Sequence, residues 1–384
     1  MRRIYLDYAA STPIDPRVKA VINKNIGIFG NPSSLHSFGQ EALKIIDDAR
    51  FKTASFFGVR PDEVIFTGSA TEANNLVVRG LVQSGFHGAN FKVPHIISTQ
   101  IEHDSVLNTL KALEPNGLAV TYLPVGRDGR VRVQDVGSFI RRETILVSVM
   151  VVNNETGAIQ PIEEISRAVR TYRRINDSIF PLLHVDAVQA VQSEDCRLDH
   201  LGADLLTISG HKIYGPKGIG CVIMKRGVPF QTIITGGNQE DGLRAGTENT
   251  SAIAGLAEAL TLIKDNKRSE VEYLKRIEKR FLNGLTELGI AFSVNSEAAK
   301  RVPHIINIRF PGQKSDELLI NLDLSGVAVS AGSACSSRAL NPSHVLTAMG
   351  MSYDDVRSSL RFSFGRFTTE KEITTTLNIL KKIL

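Results

Sequence analysis

A chain of 384 residues, 42% hydrophobic and 22% charged, has the composition of a folded globular protein and is long enough for two domains with large cores. The net charge of +5 is spread along the chain, and its tightest basic groups are pairs such as Arg141-Arg142 and Arg173-Arg174, so no direct nucleic-acid contact is expected. Three cysteines without C-x-x-C spacing argue against a disulfide framework and a metal site. No apolar run approaches the ~20 residues a bilayer requires, so a cytoplasmic protein away from membranes is expected.

In chain order, residues 1–15 read as a strand-like segment and a turn marked by Pro13, Asp15 and Pro16. From Phe51 to Lys225 helical stretches alternate with seven apolar runs, at 64–67, 95–99, 120–124, 145–152, 182–186, 205–209 and 221–225. This alternation predicts an α/β unit over 16–255 with a mostly parallel seven-stranded sheet covered on both faces. Gly80–Pro94, with three glycines, reads as a surface insertion between a helix and a strand. Beyond Thr250 a helix-rich region follows, in which Ser269-x-x-Glu272 reads as a capping box. Val271, Leu274, Ile277, Phe281, Leu285 and Leu288 then form a helical stripe that Gly289 stops. Short strands at 291–294, 304–310, 327–330 and 360–364 predict a smaller α+β domain over 256–384, with 1–15 packing beside it.

The chemistry gathers around Ser209–Gly218, S-G-H-K-I-Y-G-P-K-G, a turn-rich stretch directly after an apolar run. A lysine here, backed by apolar residues and close glycine backbones, is placed for partial desolvation and for attack on a carbonyl. Lys212 is therefore a candidate Schiff-base lysine for pyridoxal 5'-phosphate. The upstream run Leu182–Asp186 ends in a carboxylate suited to the cofactor's pyridine nitrogen, although Asp186 alone also reads as a helix cap. Val64–Glu72 offers a strand, a small-residue turn and a helix start, whose N–H groups and Ser69 and Thr71 hydroxyls suit a phosphate. Thr71, His103, Asp186 and Lys212 each follow an apolar run, at the strand ends where ligands gather in such sheets.

The ordered series YLDYAASTP, FGNPSSLH, FTGSATEANNL, EHDSV, VNNETG, HVDAVQ, SGHKIYGPKG, GGNQEDGLRAGTEN, SAGSACSS and SLRFSFGRFT resembles the NifS/IscS-type cysteine desulfurases of the class V aminotransferase branch. The resemblance implies a fold type I transferase and a set of site residues. His103 would stack on the cofactor ring and handle protons, and Gln189 and Asn154 would bond its phenolic oxygen or the substrate. Ala70, Thr71, Ser209 and His211 would bind the phosphate. Thr247 would reach it from the other subunit of a homodimer, or cap the following helix. Arg361 would grip the substrate carboxylate, as a planar guanidinium suits, where residue pattern alone also allows a surface arginine on an edge strand.

Cys335 lies in Ser330–Arg338, a run of small residues suited to movement, and would carry sulfur away as a persulfide. Cys221 reads as an inert buried thiol, and Cys196 as structural or incidentally exposed. The implied activity converts L-cysteine to L-alanine and hands sulfur to an acceptor protein, either an iron–sulfur scaffold or a tRNA thiolation enzyme. A selenocysteine lyase, or a sulfur-transfer partner that needs activation by its acceptor, stays open as an alternative. The chain ends at Leu384, where many IscS-type relatives continue, so weak or differently placed scaffold contacts are expected.

Overall fold

The computed structural model describes residues 3–87, 92–332 and 342–384. The chain opens with strand β1 (Ile4–Tyr5) and helices α1 (Pro16–Asn25) and α2 (Ser37–Phe57). Strands and helices then alternate: β2 (Val64–Thr67), α3 (Ala70–His87), β3 (His95–Thr99), α4 (Asp104–Leu113), β4 (Ala119–Leu123), α5 (Val133–Phe139) and β5 (Thr144–Met150). After them come α6 (Ile162–Asn176), β6 (Leu182–Asp186), α7 (Leu198–Leu201), β7 (Leu205–Ser209) and β8 (Gly220–Met224).

Strands β2 to β8 form one seven-stranded sheet in the order β2-β8-β7-β6-β5-β3-β4. Only β8 runs antiparallel to its neighbours. Adjacent strand residues feed opposite faces, as a two-residue side-chain period requires. Phe66, Ile97, Val147, Leu183, Leu206 and Ile223 enter one core, whereas Ile65, Ile96, Leu146, Leu182, Leu205 and Val222 enter the other. Both faces being covered explains why these strands read as continuous apolar runs.

A second core is built by α8 (Thr250–Glu287), β9 (Ser293–Val294), β10 (Ile305–Arg309), α9 (Ser315–Leu324), β11 (Val327–Ala328), β12 (Ser359–Ser363) and α12 (Glu370–Ile383), whereas α10 (His344–Ala348) and α11 (Tyr353–Arg357) pack with Ile101 in a small cluster of their own. Phe281, Phe310, Phe362 and Phe364 are fully buried in the second core, together with Ile4 and Leu6 from the start of the chain. That start is fixed by parallel pairing of β1 with β11 and by a bridge from Asp7 to Ser363. Strands β12, β10 and β9 form a three-stranded antiparallel sheet.

Two expectations need correction. The Ser269 capping box does not form, because α8 is one 38-residue helix. Ser269 lies inside it, exposed, with its hydroxyl donating to the Asn266 carbonyl. The same helix passes residue 255 unbroken: Ile253–Ile263 pack in the sheet's core and Leu274–Leu285 in the second one. Of Gly80–Pro94, read above as a surface insertion, Gly80–His87 is instead the last part of α3, and residues 88–91 lie outside the described residues. Leu81 and Val82 are buried, and a Cβ on Gly80 would lie 2.5 Å from the Phe230 ring, so glycine is required there for packing. Cys196 is buried in the sheet's core, which fits the structural of its two expected readings.

Candidate active site

Strands β3, β5, β6 and β7 point their carboxyl ends at one side of the sheet, where the N-terminus of α3 also arrives. A cavity of about 190 Å³ opens there. Lys212 sits in the 3-10 turn Gly210–Lys212 that directly follows β7. The turn folds back on itself, with Gly215 N–H donating to the Gly210 carbonyl at 2.9 Å. A Cβ on Gly215 would stand 2.8 Å from that same oxygen, so only glycine closes the loop. The Lys212 Nζ donates to the carbonyls of Ala9 at 2.6 Å and Ala10 at 2.8 Å, and Gln192 Nε2 holds the Lys212 carbonyl at 2.7 Å.

Ala70, Thr71, His103, Asn154, Asp186, Gln189, Ser209, His211 and Arg361 line the same cavity as Lys212. Asp186, at the last position of β6, is 7% exposed. One of its oxygens accepts the Val188 N–H at 3.0 Å and the other the Asn74 amide at 2.9 Å. Gln189 donates to the Ala9 carbonyl at 2.9 Å and so stiffens the strip of backbone that faces the lysine. His103 caps α4. Burial, and then the neighbouring Lys212 charge, holds its pKa below the ordinary histidine value against the pull of Asp186. Burial and the Lys212 charge likewise push His211 down to about 4, and its Nδ1 lies 3.2 Å from the Ser11 hydroxyl.

Arg361, on β12, is 1% exposed and is not a surface arginine. Its terminal nitrogens donate to Asp7 at 2.7 Å and to the Asn154 carbonyl at 2.9 Å, while its Nε is buried without a hydrogen-bond partner among the described residues. Glu102, next to His103, is fully buried, and desolvation pushes its carboxyl up to about 8.

Thr247 does not join this cavity. It lies exposed on the loop before α8, whose N-cap is Asn249 instead. That loop is tied down by the Arg50–Glu240 ion pair at 2.7 Å, by Glu240 accepting the Phe66 N–H, and by Arg244–Glu72 at 2.7 Å. Cys335 lies outside the described residues. On either side of its segment, Ser330 pairs with Arg361 through two backbone hydrogen bonds, and the Ser343 hydroxyl donates to Glu155 at 2.5 Å. Cys196 and Cys221 are both buried, and burial raises both thiols, to about 12 for Cys196. Neither has the thiolate character of a reactive cysteine.

Two participants were not singled out from the sequence, Asn74 and Ser105. The family resemblance places the Asp7–Ala10 stretch near the site, but the role of its Ala9 and Ala10 carbonyls carries no side-chain signal. Asn74 had a weak one, a polar residue three positions after Thr71 and therefore close to the same face of α3.

A strand-end lysine, an acidic strand terminus and a helix N-terminus around one cavity define an α/β enzyme of the fold type I transferase class. The profile described as aminotransferase class-V matches residues 4–375. The cysteine desulfurase IscS of Dictyoglomus turgidum is 40% identical over 384 residues, covering 100% of this chain and 95% of the relative. That of Pectobacterium carotovorum is also 40% identical, covering 99% of this chain and 92% of its own. Among solved structures, a NifS-like protein superposes with a TM-score of 0.91 at 33% identity, covering 99% of both chains. SspA in complex with cysteine superposes with a TM-score of 0.82 at 34% identity, over 95% of this chain and 100% of that one. The chain belongs to the class V aminotransferase family, in its branch of NifS/IscS-type cysteine desulfurases.

Proposed function

We propose that this protein is a pyridoxal phosphate-dependent cysteine desulfurase that converts L-cysteine to L-alanine and passes the sulfur, through a persulfide on Cys335, to an acceptor protein. The observation that carries the reading is the single cavity in which Lys212, Asp186, His103 and Arg361 meet. The relatives named cysteine desulfurase support it, as does the neighbour solved with cysteine.

The residues fit the cofactor. Lys212 supplies an amine, and Asp186 a buried acceptor for a protonated ring nitrogen. The first turn of α3, with Thr71, Ser209 and His211, supplies donors for a phosphate. When bound, pyridoxal phosphate supplies an electron sink for negative charge at Cα. Arg361 holds the substrate carboxylate, with its Nε, unpartnered among the described residues, one donor for it. Lys212 takes the proton from Cα and returns one later. The Cys335 thiolate attacks the substrate sulfur: an S–S bond forms, the C–S bond breaks with its electron pair on carbon, and that carbon is protonated to give alanine. The reducing cytosol suits a thiol that must stay free.

The purified protein is expected to be yellow, and borohydride is expected to fix a pyridoxyl group on Lys212. Peptide mapping checks this, and label on another lysine would refute it.

A homodimer completes the site in this reading. Thr247 stands exposed outside the cavity of its own chain, and Ile26, Phe29, Leu35 and Phe38 expose apolar side chains within one short segment, Leu35 at 93%. The Phe29→Asp/Leu35→Asp double variant is expected to sediment as a monomer and to retain less cofactor. A fully active monomer in sedimentation and activity assays would rule out shared sites.

A further inference from the structure

In the wall of the cavity, with Asn74 behind it, four polar side chains from three elements form one chain of hydrogen bonds. Asn74, on α3, is fully buried. Its Nδ2 stands 2.9 Å from Asp186 Oδ2 and 2.9 Å from Ser105 Oγ, while its Oδ1 has no partner among the described residues. The orientation of the amide is settled by its neighbour. A carboxylate only accepts hydrogen bonds, so the NH2 group faces Asp186, and the flipped amide would set two oxygens against each other. Both amide hydrogens are therefore spent, one on Asp186 and one on Ser105.

Ser105 has a single hydroxyl hydrogen. Its oxygen already accepts from Asn74, so the hydrogen turns to its other neighbour, His103 Nδ1 at 2.9 Å. The Ser105 backbone N–H points at the same nitrogen from 3.1 Å. Two donors converge on Nδ1, which is left no room for a hydrogen of its own. The proton of the neutral ring then sits on Nε2.

We propose that Asn74 and Ser105 are positioning residues that fix His103 as its Nε2–H tautomer while holding Asp186 as an acceptor-only carboxylate. The direction of donation runs outward from one amide. Asn74 thereby couples the group read as the partner of the ring nitrogen to the group read as stacking on that ring. His103 enters the reaction as a hydrogen-bond donor at Nε2 and becomes a base there only after giving that proton up. The part that concerns Asp186 and the cofactor rests on the reading above, whereas the tautomer follows from this chain's own hydrogen bonds.

The test uses the full-length protein labelled with 15N-histidine, with and without added pyridoxal phosphate, and the His103 signals assigned by their loss in His103→Gln. In the wild type, His103 Nδ1 is expected to resonate as an unprotonated nitrogen and Nε2 as a protonated one. Asn74→Asp sets a second carboxyl against Asp186, and the two share one proton. The oxygen of position 74 that faces Ser105 is then an acceptor, so Ser105 turns its hydrogen towards it and its lone pairs towards His103. Nδ1 should then shift upfield as it gains a proton. In the Ser105→Ala background the same change at position 74 should lose most of this effect, and Ser105→Thr, which keeps the hydroxyl, should restore the wild-type signal. An Nδ1 that stays unprotonated in Asn74→Asp overturns the proposal, as does an equal shift with and without the Ser105 hydroxyl. Asn74→Leu, which removes one donor from Asp186, should weaken pyridoxal phosphate retention about tenfold. If no form of the protein retains pyridoxal phosphate, the cofactor reading fails while the nitrogen shifts still decide the tautomer.

Discussion

Lys212→Ala is expected to abolish turnover of cysteine, whereas Cys335→Ala is expected to stop sulfur release and leave cofactor uptake intact. Lys212 serves both as the covalent anchor and as the base at Cα, and loss of proton transfer alone commonly costs about 10²–10⁴-fold in rate. The variant also loses the amine that the Ala9 and Ala10 carbonyls hold in the cavity, so its resting spectrum changes together with its rate. Cys335→Ala leaves Lys212, Asp186, His103 and Arg361 untouched. It should still bind cysteine and change the cofactor's absorbance, then stall, because a nucleophile from solution lacks the positioning of one supplied by the chain. Absorbance, sulfide and alanine followed together separate the two variants. Alanine formed from cysteine at the wild-type rate by Cys335→Ala would remove Cys335 from the reaction. Lost desulfurase activity with full selenocysteine activity would instead show that the thiol is needed for sulfur alone.

The largest expected change in stability comes from Arg366. Its guanidinium donates to Asp15 at 2.7 Å and to Glu270 at 3.1 Å, and lies 3.9 Å above the Tyr214 ring. The backbone N–H of Arg366 also donates to the Tyr214 hydroxyl at 2.8 Å. Asp15 is 1% exposed, and Arg366→Ala would leave it with only Arg17, a side chain 57% exposed. Breaking a buried ion pair from one side costs about 3–5 kcal/mol, since the remaining charge stays buried and underpaired. Denaturant unfolding at neutral pH should register that loss. Hydrogen bonding from Arg17 first, with Arg366 adding to it, holds the Asp15 carboxyl well below the usual carboxylate range. A carboxyl depressed in the fold contributes stability above its unfolded value of about 4 and loses that contribution as pH falls below it. The gap between wild type and Arg366→Ala should therefore narrow in acid. A gap under about 1 kcal/mol at neutral pH would place this cluster among pairs that solvent screens.

How far the sequence disclosed this molecule depended on whether a feature was local. The seven strands of the large sheet were legible because covering both faces forces unbroken apolar runs such as Leu205–Ser209. Lys212 and Asp186 were legible because each follows such a run. Ser269-x-x-Glu272 misled because a capping box is only a possibility in the sequence. Residues on either side of it pack into two different cores, which keeps α8 continuous through that point. The glycines of 80–94 suggested a loop, yet Gly80 is needed where α3 meets Phe230. Cys196 sits among polar residues, and its burial comes from the surrounding core rather than from its neighbours in the chain. Asn74 and Ser105 stayed hidden for a similar reason. Their importance lies in contacts across 31 and 112 positions of sequence, which no local pattern encodes.

The unbroken course of α8 through both cores has a consequence for how the protein is divided. A hinge between two bodies needs residues whose backbone is free to rotate, and this connection offers a hydrogen-bonded rod instead. Cutting the gene within Thr250–Glu287 would strip one core of a wall whichever side the cut favoured, so the halves are not independent building blocks. The start of the chain crosses back the other way, with Ile4 and Leu6 filling the second core before the large sheet begins. The polypeptide is thus laced twice between its two halves, and the second core, whose first residues Ile4 and Leu6 are made at the outset, cannot close until the final strand and helix emerge.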